Sequence, residues 1–443
     1  MVVQSSAKFF FLSVFVTLLM INNGDASFKP RGPILLTLRK EHHPRVSTLT
    51  SSLMAASTDK VVFQHNVSLT VSLTVGSPPQ LVTMVLDTGS ELSWLHCKAE
   101  PGLNAVFAPS ASRSYTRIPC SSRTCRYRTR DLTIPAMCDS AKLCHVMVSY
   151  ADSTSLEGTL AYETFRFGSF TRPATAFGCM DSGFSSNAAE DSKTTGLMGL
   201  NRGALSFASQ MGFPQFSYCI SSINSTGVLL LGNASIPWMA PIQYTPLVRM
   251  SVPLPYFNRV AYSVQLQGIH VNNQPLTLSA ASFEPDHTGA GQTMVDSGTQ
   301  FTFLMGPVYT SLRNEFLAQT KGILAVLDDS NFVFQGAMDL CYLVPLSKGD
   351  SLPPLPQVTM VFSGAEMNVS GDKLLYRVPG MVRDGHSVWC LTFGNSDYLG
   401  IEAFVIGHHH QQNLWMEFDL EGSRIGIAET RCELVRQKLG VTV

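Results

Sequence analysis

Alternation of apolar and polar residues is the dominant pattern of this chain. The stretch NVSLTVSLTVGSPPQLVTMVLDTG, residues 66–89, alternates, breaks at Gly76-Ser77-Pro78-Pro79 and resumes, which is typical of a β-hairpin. The stretch SVQLQGIHVNNQPLTL repeats the pattern around Asn272-Asn273, whereas PVYTSLRNEFLAQTKGI reads as a helix. The pattern predicts an all-β protein with few helices.

Length and composition fit a globular protein with two lobes. The chain has 443 residues, of which 45% are hydrophobic and 14% are charged. This length exceeds one ordinary core, and this composition is that of a packed protein. The formal net charge is −1, and no run of Lys or Arg is long enough for a nucleic-acid or membrane footprint. We therefore expect no nucleic-acid partner.

The first residues read as a targeting segment. Lys8 precedes FFFLSVFVTLLMI, and the small residues around Ala26 follow, so residues 1–26 are predicted to be a cleaved signal peptide. The alternative is a membrane anchor, but the apolar run is shorter than the roughly 20 residues that a spanning helix needs. We expect no stable membrane anchor.

A basic stretch follows the signal peptide. Residues 27–58 carry five Lys or Arg residues against Glu41 alone, whereas the chain from Asp59 onward has an excess of acidic residues. This asymmetry suggests a propeptide lying over an acidic cleft, and the alternative is a flexible, solvated leader. The remainder is divided into an N-terminal lobe, residues 59–235, and a C-terminal lobe, residues 236–443.

Ten cysteines after a signal peptide predict disulfides formed in the secretory pathway. The spacing suits short loops from Cys120 to Cys125 and from Cys138 to Cys144, although spacing alone does not give the pairing. A zinc site is the alternative, but no paired CxxC or HExxH motif is present. Endoplasmic reticulum lumen, cell exterior and vacuole all remain open. Glycosylation sequons begin at four residues: Asn66, Asn224, Asn233 and Asn368.

An internal repeat brings two aspartates into correspondence. A shift of 209 residues lays MVLDTGSELSWL over TMVDSGTQFTFL, so that Asp87 meets Asp296. A shift of 208 residues matches Gly199 to Gly407, each after two apolar residues. Two matched elements at nearly one offset predict a duplicated lobe, each lobe giving one aspartate to a shared cleft. The other matched positions are Thr88 with Ser297, Gly89 with Gly298, and Ser90 with Thr299.

Paired carboxylates suit acid–base chemistry on a water molecule. Two carboxylates about 3 Å apart cannot both ionise, so one keeps a proton while the other acts as a base. The pair can then activate a water for attack on a peptide carbonyl, without a covalent intermediate. The glycines allow tight turns and close approach, and the hydroxyls of Ser90 and Thr299 can hold the carboxylates in place. No cofactor is expected.

These motifs resemble the plant pepsin-like aspartic proteases, in particular the nepenthesin-like branch. The strings GQTMVDSGTQFTFLMGPVY, FGCMDSG, FSYCI and FVIGHHHQQN carry the resemblance, which runs from about residue 61 to residue 439. It implies a bilobed β fold, a cleft for an extended polypeptide, and Asp87 and Asp296 as a catalytic dyad. It also implies a flap in VSYADSTSLEG, with Tyr150 as the flap tyrosine, Asp152 beside it and Trp94 as its neighbour; the alternative for Tyr150 is a packed core aromatic.

The chain departs from the family pattern at two places. Ala151 stands where the family usually has glycine in the flap, and HCKAEPGLNAVF lacks a cysteine pair that nepenthesin-like enzymes carry after the first motif. The resemblance implies three disulfides, Cys219–Cys432, Cys341–Cys390 and Cys97–Cys179.

Two kinds of function remain to be compared. The first is an active endopeptidase, which we expect to be a monomer acting on polypeptides. The second is a catalytically silent inhibitor or binding protein on the same fold, and such relatives tend to lose part of the dyad motifs, which are complete here. A metal site in GHHHQQN, with His408 and His410 on one strand face, is the alternative for that run, but no carboxylate or cysteine completes it nearby. We therefore predict an enzyme without a metal.

Overall fold

The computed structural model describes residues 32–43, 66–222, 226–234, 236 and 240–441. The predicted signal peptide and most of the basic stretch after it lie outside these residues. Strands dominate, so the all-β prediction is confirmed. Among the residues that the structure describes, no helix is both long and apolar enough to cross a bilayer.

The described part of the first half contains twelve strands. They are β1 Ile34–His42, β2 Val67–Val75, β3 Gln80–Asp87, β4 Trp94–His96, β5 Thr116–Arg117, β6 Met137–Cys138, β7 Cys144–Ser149, β8 Ser155–Phe167, β9 Phe170–Phe184, β10 Gly196–Gly199, β11 Gln215–Cys219 and β12 Thr226–Leu231.

Sixteen strands lie in the second half, among the residues that the structure describes. They are β13 Gln243–Pro246, β14 Ser263–Val264, β15 Leu266–Val271, β16 Gln274–Pro275, β17 Gln292–Val295, β18 Thr302–Leu304, β19 Ala325–Val326, β20 Cys341–Pro345, β21 Val358–Phe362, β22 Ala365–Val369, β23 Leu375–Arg383, β24 His386–Leu391, β25 Phe393–Asn395, β26 Ala403–Ile406, β27 Leu414–Asp419 and β28 Arg424–Glu429.

Helices are short and few. The α-helices are α1 Ala188–Asp191, α2 Phe207–Met211, α3 Gly306–Gln319 and α4 Cys432–Lys438. A π-helical turn spans Thr124–Arg128, and 3-10 turns span Pro109–Ala111, Ala280–Phe283, Leu346–Lys348, Gly371–Lys373 and Ser396–Leu399. α3 is the helix that the sequence predicts, and it buries Val308, Leu312 and Phe316 on one face at intervals of four residues.

The strands form one large sheet and three small ones. The large sheet has fifteen strands in the order β13-β28-β27-β11-β12-β1-β2-β3-β10-β4-β9-β8-β7-β6, with β5 paired to β8. The small sheets are β14-β17-β26-β18-β25, β16-β15-β21-β22 and β19-β20-β24-β23. Because β13, β27 and β28 come from the second half of the chain, the large sheet joins both halves through the β11–β27 pairing.

Both predicted hairpins form. β2 and β3 pair antiparallel on either side of the Gly76–Pro79 turn, and Thr70 lies opposite Val85. β15 and β16 pair across Asn272 and Asn273, whose φ angles of 48° and 65° suit a tight hairpin turn. Local turn chemistry therefore sets the register of these strands.

The basic stretch does not behave as a flexible leader where it is described. Residues Ile34–His42 form β1, which lies between β12 and β2 inside the large sheet. None of residues 32–43 lines the cleft, although His43 lies 3.9 Å from Glu190, which does; that the basic stretch lies over the cleft stays a prediction. Six residues of β1 pair with residues of β12. Its alternating apolar side chains, Ile34, Leu36 and Leu38, pack against the core. Its removal as a propeptide stays a prediction.

Candidate active site

The two aspartates occupy equivalent places in the two halves. Asp87 is the last residue of β3 and lies beside Gly199 of the parallel strand β10. Asp296 follows β17, and its backbone N–H donates to the carbonyl of Ile406, at the end of the parallel strand β26, at 3.0 Å. The 209- and 208-residue offsets therefore correspond to two copies of one strand pair. Each copy delivers an aspartate to the same edge.

The two carboxylates face each other across the halves. A Cβ built on Gly89 would lie 2.8 Å from Oδ1 of Asp296, and one built on Gly298 would collide with the carboxylate of Asp87. Neither position has room for a Cβ atom, so glycine is required at both. This reciprocal contact brings the predicted dyad together.

Each carboxylate is held by the same two kinds of donor. The N–H of Gly89 donates to Oδ1 of Asp87 at 2.7 Å, and the hydroxyl of Ser90 donates to Oδ2. In the second half, the N–H of Gly298 donates to Oδ1 of Asp296 at 2.9 Å, and the Thr299 hydroxyl donates to Oδ2 at 2.6 Å. The motif residues thus fix the orientation of both carboxylates.

Thr88 and Ser297 bond to each other and not to the carboxylates. The N–H of Thr88 donates to Oγ of Ser297 at 3.1 Å, and the N–H of Ser297 donates to Oγ1 of Thr88 at 2.9 Å. Their hydroxyls donate onward to the carbonyls of Val295 and Leu86. These two residues support the dyad by joining the halves beneath it.

Asp87 is buried, with 6% of its surface exposed. Burial first, and then the neighbouring Asp296, raise the pKa of Asp87 well above its ordinary value. Because its pKa is raised, this carboxyl group keeps its proton at pH values at which an exposed carboxyl group would release it. The site can therefore offer a proton donor and a carboxylate at the same time.

The predicted flap lies over the dyad. β7 and β8 form a hairpin, and Tyr150 lies at its turn, where its N–H donates to the carbonyl of Thr154. The indole Nε1 of Trp94 donates to the Tyr150 hydroxyl at 2.7 Å. The Tyr150 hydroxyl is also within hydrogen-bonding reach of Ser90, and burial raises the pKa of Tyr150 above its ordinary value. Trp94, Tyr150 and Ser90 thus form a chain leading to Asp87.

Asp152 shapes the tip of the flap. Its carboxylate accepts from the N–H of Thr154 at 2.9 Å and from the hydroxyls of Thr154 and Ser186 at 3.0 and 2.9 Å. Ala151 is exposed at the tip, where the family usually has glycine. Asp152 therefore has a structural role in tying the flap turn to the segment around Ser186.

The sequence pattern does not predict two kinds of residue that line the cleft. Leu132 and Ile134, from a loop between cysteines, line the cleft together with apolar residues of both halves. Glu91 also lines it, although it is 6% exposed. The available signal for Glu91 was a charged residue four positions after Asp87, inside the repeated motif. Leu132 and Ile134 had no signal, because their loop reaches the cleft only through tertiary packing.

Glu91 is a buried acid next to the dyad motif. Its Oε1 accepts from the N–H of Leu205 at 2.8 Å, and a Cβ on Gly203 would collide with its carboxyl group. Oε2 has no hydrogen-bond partner among the described residues. Burial raises the pKa of Glu91 to about 7, so its charge changes near neutral pH.

All ten cysteines are paired. The short loops that the spacing suits do not form, and the pairing that spacing left open consists of two crossed disulfides. Backbone hydrogen bonds from Cys120 to Lys142 and from Cys144 to Ile118 hold the two segments side by side. The three pairs that the resemblance implies are present. The disulfides are Cys97–Cys179, Cys120–Cys138, Cys125–Cys144, Cys219–Cys432 and Cys341–Cys390.

The histidine run forms a turn after β26, so the expected strand face is wrong. His410 lies between the hydroxyls of Thr302 and Thr392, at 2.7 and 2.8 Å from its two ring nitrogens. His409 lies 2.9 Å from the carbonyl of Lys373, and burial lowers its pKa to about 4. Within the described part of the chain, no group of three or more His, Cys, Asp or Glu residues could hold a metal ion.

The sequons differ in accessibility. Asn66 is 4% exposed, so this structure has no room for a glycan there, and that expectation needs correction. Asn233 is exposed, and Asn368 is partly exposed with its side-chain NH₂ donating to Glu429 at 2.9 Å. Asn224 lies outside the described residues.

Comparison with known families and structures agrees with the geometry. The family model described as Xylanase inhibitor N-terminal matches residues 69–233, and the model described as Xylanase inhibitor C-terminal matches residues 261–429. Among solved structures, basic 7S globulin from soybean has a TM-score of 0.62 at 19% identity, covering 91% of this chain and 98% of that one. The crystal structure of EDGP has a TM-score of 0.64 at 17% identity, covering 91% and 96%. These structures show the shared fold.

Relatives of higher identity are named as proteases. Aspartic proteinase PCS1 of Arabidopsis thaliana is 60% identical over 390 residues, which cover 87% of this chain and 86% of that protein. Aspartic proteinase nepenthesin-2 of Nepenthes gracilis is 28% identical, covering 89% of this chain and 84% of that protein. The chain therefore belongs to the plant pepsin-like aspartic proteases and is an enzyme of the aspartic-type endopeptidase class.

Proposed function

We propose that Asp87 and Asp296 form one catalytic unit that hydrolyses peptide bonds of extended polypeptides. The reciprocal packing of Gly89 and Gly298 against the opposite carboxylates is the observation that supports this most directly. It brings two carboxylates from distant parts of the chain to one point, within a cleft. Their pairing leaves one proton to be shared.

The chemistry follows from that shared proton. The ionised carboxylate takes a proton from a water between the two groups, and the water oxygen bonds to the peptide carbonyl carbon. The protonated carboxyl gives its proton to the carbonyl oxygen, so a neutral tetrahedral intermediate forms. In the second step the C–N bond breaks, and the amine leaves with a proton returned by the dyad. Ser90 and Thr299 keep both carboxylates oriented throughout.

The shape and lining of the cleft favour an extended polypeptide substrate. The flap carries Tyr150 above the dyad, and the lining extends on both sides through apolar residues such as Leu197, Val260 and Met294. An extended chain can lie under the flap with its side chains in these apolar regions. We expect apolar residues around the scissile bond.

The decisive experiment replaces each carboxylate. Asp87→Asn and Asp296→Asn are nearly isosteric but cannot act as a base, so each should lower kcat by several orders of magnitude, roughly the loss of an acid–base group or more. The double variant should be little worse than either single variant, because the pair performs one task. Asp181→Asn is the matched control, since Asp181 begins a second Asp-Ser-Gly sequence but is exposed.

The outcomes distinguish an active endopeptidase from a catalytically silent binding protein. Activity that depends on both aspartates, with Asp181→Asn unaffected, supports the dyad. Peptidase activity kept by either folded single variant would contradict it. A folded wild-type chain that binds peptides but never cleaves them would favour a silent binding protein, as the description of the matching family models suggests.

We also propose that the enzyme works in the secretory pathway or outside the cell. Five disulfides in a chain that begins with a signal-like segment support an oxidising compartment. A fluorescent fusion followed through the cell would test this, and a stable cytosolic pool of the oxidised protein would contradict it.

A further inference from the structure

A basic segment borders the cleft. Between residues 113 and 142 the chain has seven Lys or Arg residues and two Asp residues, although the whole protein has a formal net charge of −1. The charges are dispersed in sequence, so they form no continuous run. They are Arg113, Arg117, Arg123, Arg126, Arg128, Arg130 and Lys142.

The part of this segment nearest the cleft is rigidly held. Cys120–Cys138 and Cys125–Cys144 tie its two ends together. Thr124 shares a hydrogen bond of 2.6 Å with the hydroxyl of Tyr162, and Nη2 of Arg128 donates to the carbonyl of Ala204 at 2.5 Å. The charged side chains are therefore presented from a fixed backbone.

Three of its arginines are exposed and have no acidic partner. Arg123, Arg126 and Arg130 are exposed, and none of them forms an ion pair within the part of the chain that the structure describes. The guanidinium of Arg130 lies 4.7 Å from the ring centroid of Tyr127, which is itself 54% exposed. This stacking orders Arg130 without neutralising its charge. The result is a positive surface that remains open to an anionic group.

The basic segment adjoins one wall of the cleft, where Asp131 follows Arg130 and the lining among the described residues includes no Lys or Arg. Residues 131–134 follow Arg130, and all four line the cavity that contains the dyad. Consecutive Cα atoms are about 3.8 Å apart, so Arg130 lies within one or two residues' reach of the cleft wall. Arg130 therefore lies beside the cleft wall on this side, and Arg126 and Arg123 precede it on the same disulfide-linked segment.

We propose that Arg123, Arg126 and Arg130 bind acidic side chains of the polypeptide substrate, on one flank of the scissile bond. This inference rests on the proposed endopeptidase function and names the class of substrate that the site prefers. Guanidinium groups match carboxylates in geometry and charge. Charges at the rim of a binding site mainly raise the association rate and select the partner.

The test uses peptides that share one apolar scissile core. Glu-Glu-Glu, Gln-Gln-Gln or Lys-Lys-Lys is placed three residues from the scissile bond, on each flank in turn. Assays run at about pH 5.5, where exposed glutamates are ionised. The variant Arg123→Gln/Arg126→Gln/Arg130→Gln is compared with the wild type. A control of equal charge change is Lys348→Gln/Arg383→Gln/Arg431→Gln, whose residues are exposed and do not line the cleft.

We expect the wild type and the control to cleave the Glu peptide about ten-fold faster in kcat/KM than the Gln peptide, on one flank. The preference should shrink to about two-fold or less at 1 M salt. The arginine variant should lose the preference but still cleave the Gln peptide normally. Equal rates for Glu and Gln peptides in the wild type, or an unchanged preference in the arginine variant, would overturn the proposal.

A binding measurement separates this inference from the proposed function. Fluorescence anisotropy of the same peptides on the Asp87→Asn full chain reports the flank preference without turnover. If the wild type cleaves no peptide while Asp87→Asn binds Glu peptides more tightly, the endopeptidase mechanism fails and the acidic preference stands. If Gln peptides are cleaved and bind as tightly as Glu peptides, the mechanism stands and the acidic preference fails.

Discussion

Thr88 and Ser297, which are 209 residues apart, exchange backbone-to-hydroxyl hydrogen bonds in both directions at 3.1 and 2.9 Å. Both residues are almost fully buried. The same offset separates the two aspartates that precede them. The repeat in the sequence thus corresponds to a direct link between its two copies, one residue after each aspartate.

Breaking this link should cost stability and activity together. Thr88→Val keeps the shape of the side chain but leaves the N–H of Ser297 buried without its acceptor. We expect a loss of about 1–3 kcal/mol in the free energy of unfolding, with a lower kcat in the protein that remains folded. Urea denaturation and initial rates measure the two effects.

Three further variants test whether Thr88 and Ser297 act as one hydrogen-bonded unit. Ser297→Ala should cost a similar amount, and the double variant should cost less than the sum, since both remove one bonded unit. Thr116→Val, at an exposed strand position, should stay within about 0.5 kcal/mol of the wild type. Additive losses from Thr88→Val and Ser297→Ala would show that the two residues act separately.

The bond from Trp94 to Tyr150 should position the flap. Trp94→Phe and Tyr150→Phe each remove the 2.7 Å hydrogen bond while leaving a ring in place. Each should lower kcat/KM about ten-fold, the effect of losing one hydrogen bond, and Trp94→Phe should also lower the free energy of unfolding because the smaller ring leaves a gap at a buried position. Tyr256→Phe, at a tyrosine that is 54% exposed, is the control. A double variant ten-fold worse than either single variant would contradict this role.

Glu91 should make stability depend on pH. Its pKa is raised from an ordinary 4.5 to about 7, so the folded chain keeps a proton that the unfolded chain releases. Its contribution to stability is full below pH 4.5 and is lost as pH rises through 7. Glu91→Gln does not titrate and keeps an acceptor for Leu205.

The difference in the free energy of unfolding between Glu91→Gln and the wild type should change between pH 4 and pH 8. Relative to the wild type, Glu91→Gln should gain stability by up to about 3 kcal/mol over that range. Denaturant unfolding at both pH values measures it, with the exposed Glu366→Gln as the control. A pH-independent difference between wild type and Glu91→Gln would show that Glu91 has an ordinary pKa.

The disulfides of the basic segment are open to direct mapping. Digestion of the unreduced protein should release peptides linking Cys120 to Cys138 and Cys125 to Cys144. The two short loops suggested by spacing would instead give intraloop links within residues 120–125 and 138–144. Finding those links would contradict the paired arrangement of the segment.

Elements whose causes are local are predictable from the residue pattern. Alternation of period two predicts β2, β3 and β15, and the Gly-Ser-Pro-Pro and Asn-Asn turns set their hairpins. The aspartates were predictable because each motif repeats the same order: an apolar strand that buries the carboxyl, a hydroxyl residue, and a glycine that permits close approach. The repeat offset gave their partnership without any knowledge of three-dimensional contacts.

Features that depend on contact between distant segments are visible in the folded chain alone. Cys120 has several partners compatible with spacing, and the choice of Cys138 follows from the packing of two loop segments. Residues 34–42 belong to a stretch whose charge suggests either a propeptide over the cleft or a flexible leader, yet they lie between β12 and β2 in the large sheet. The acidity of Glu91 likewise depends on Leu205 and Gly203, more than 100 residues away. Such features follow from burial and contact, which the residue pattern alone does not encode.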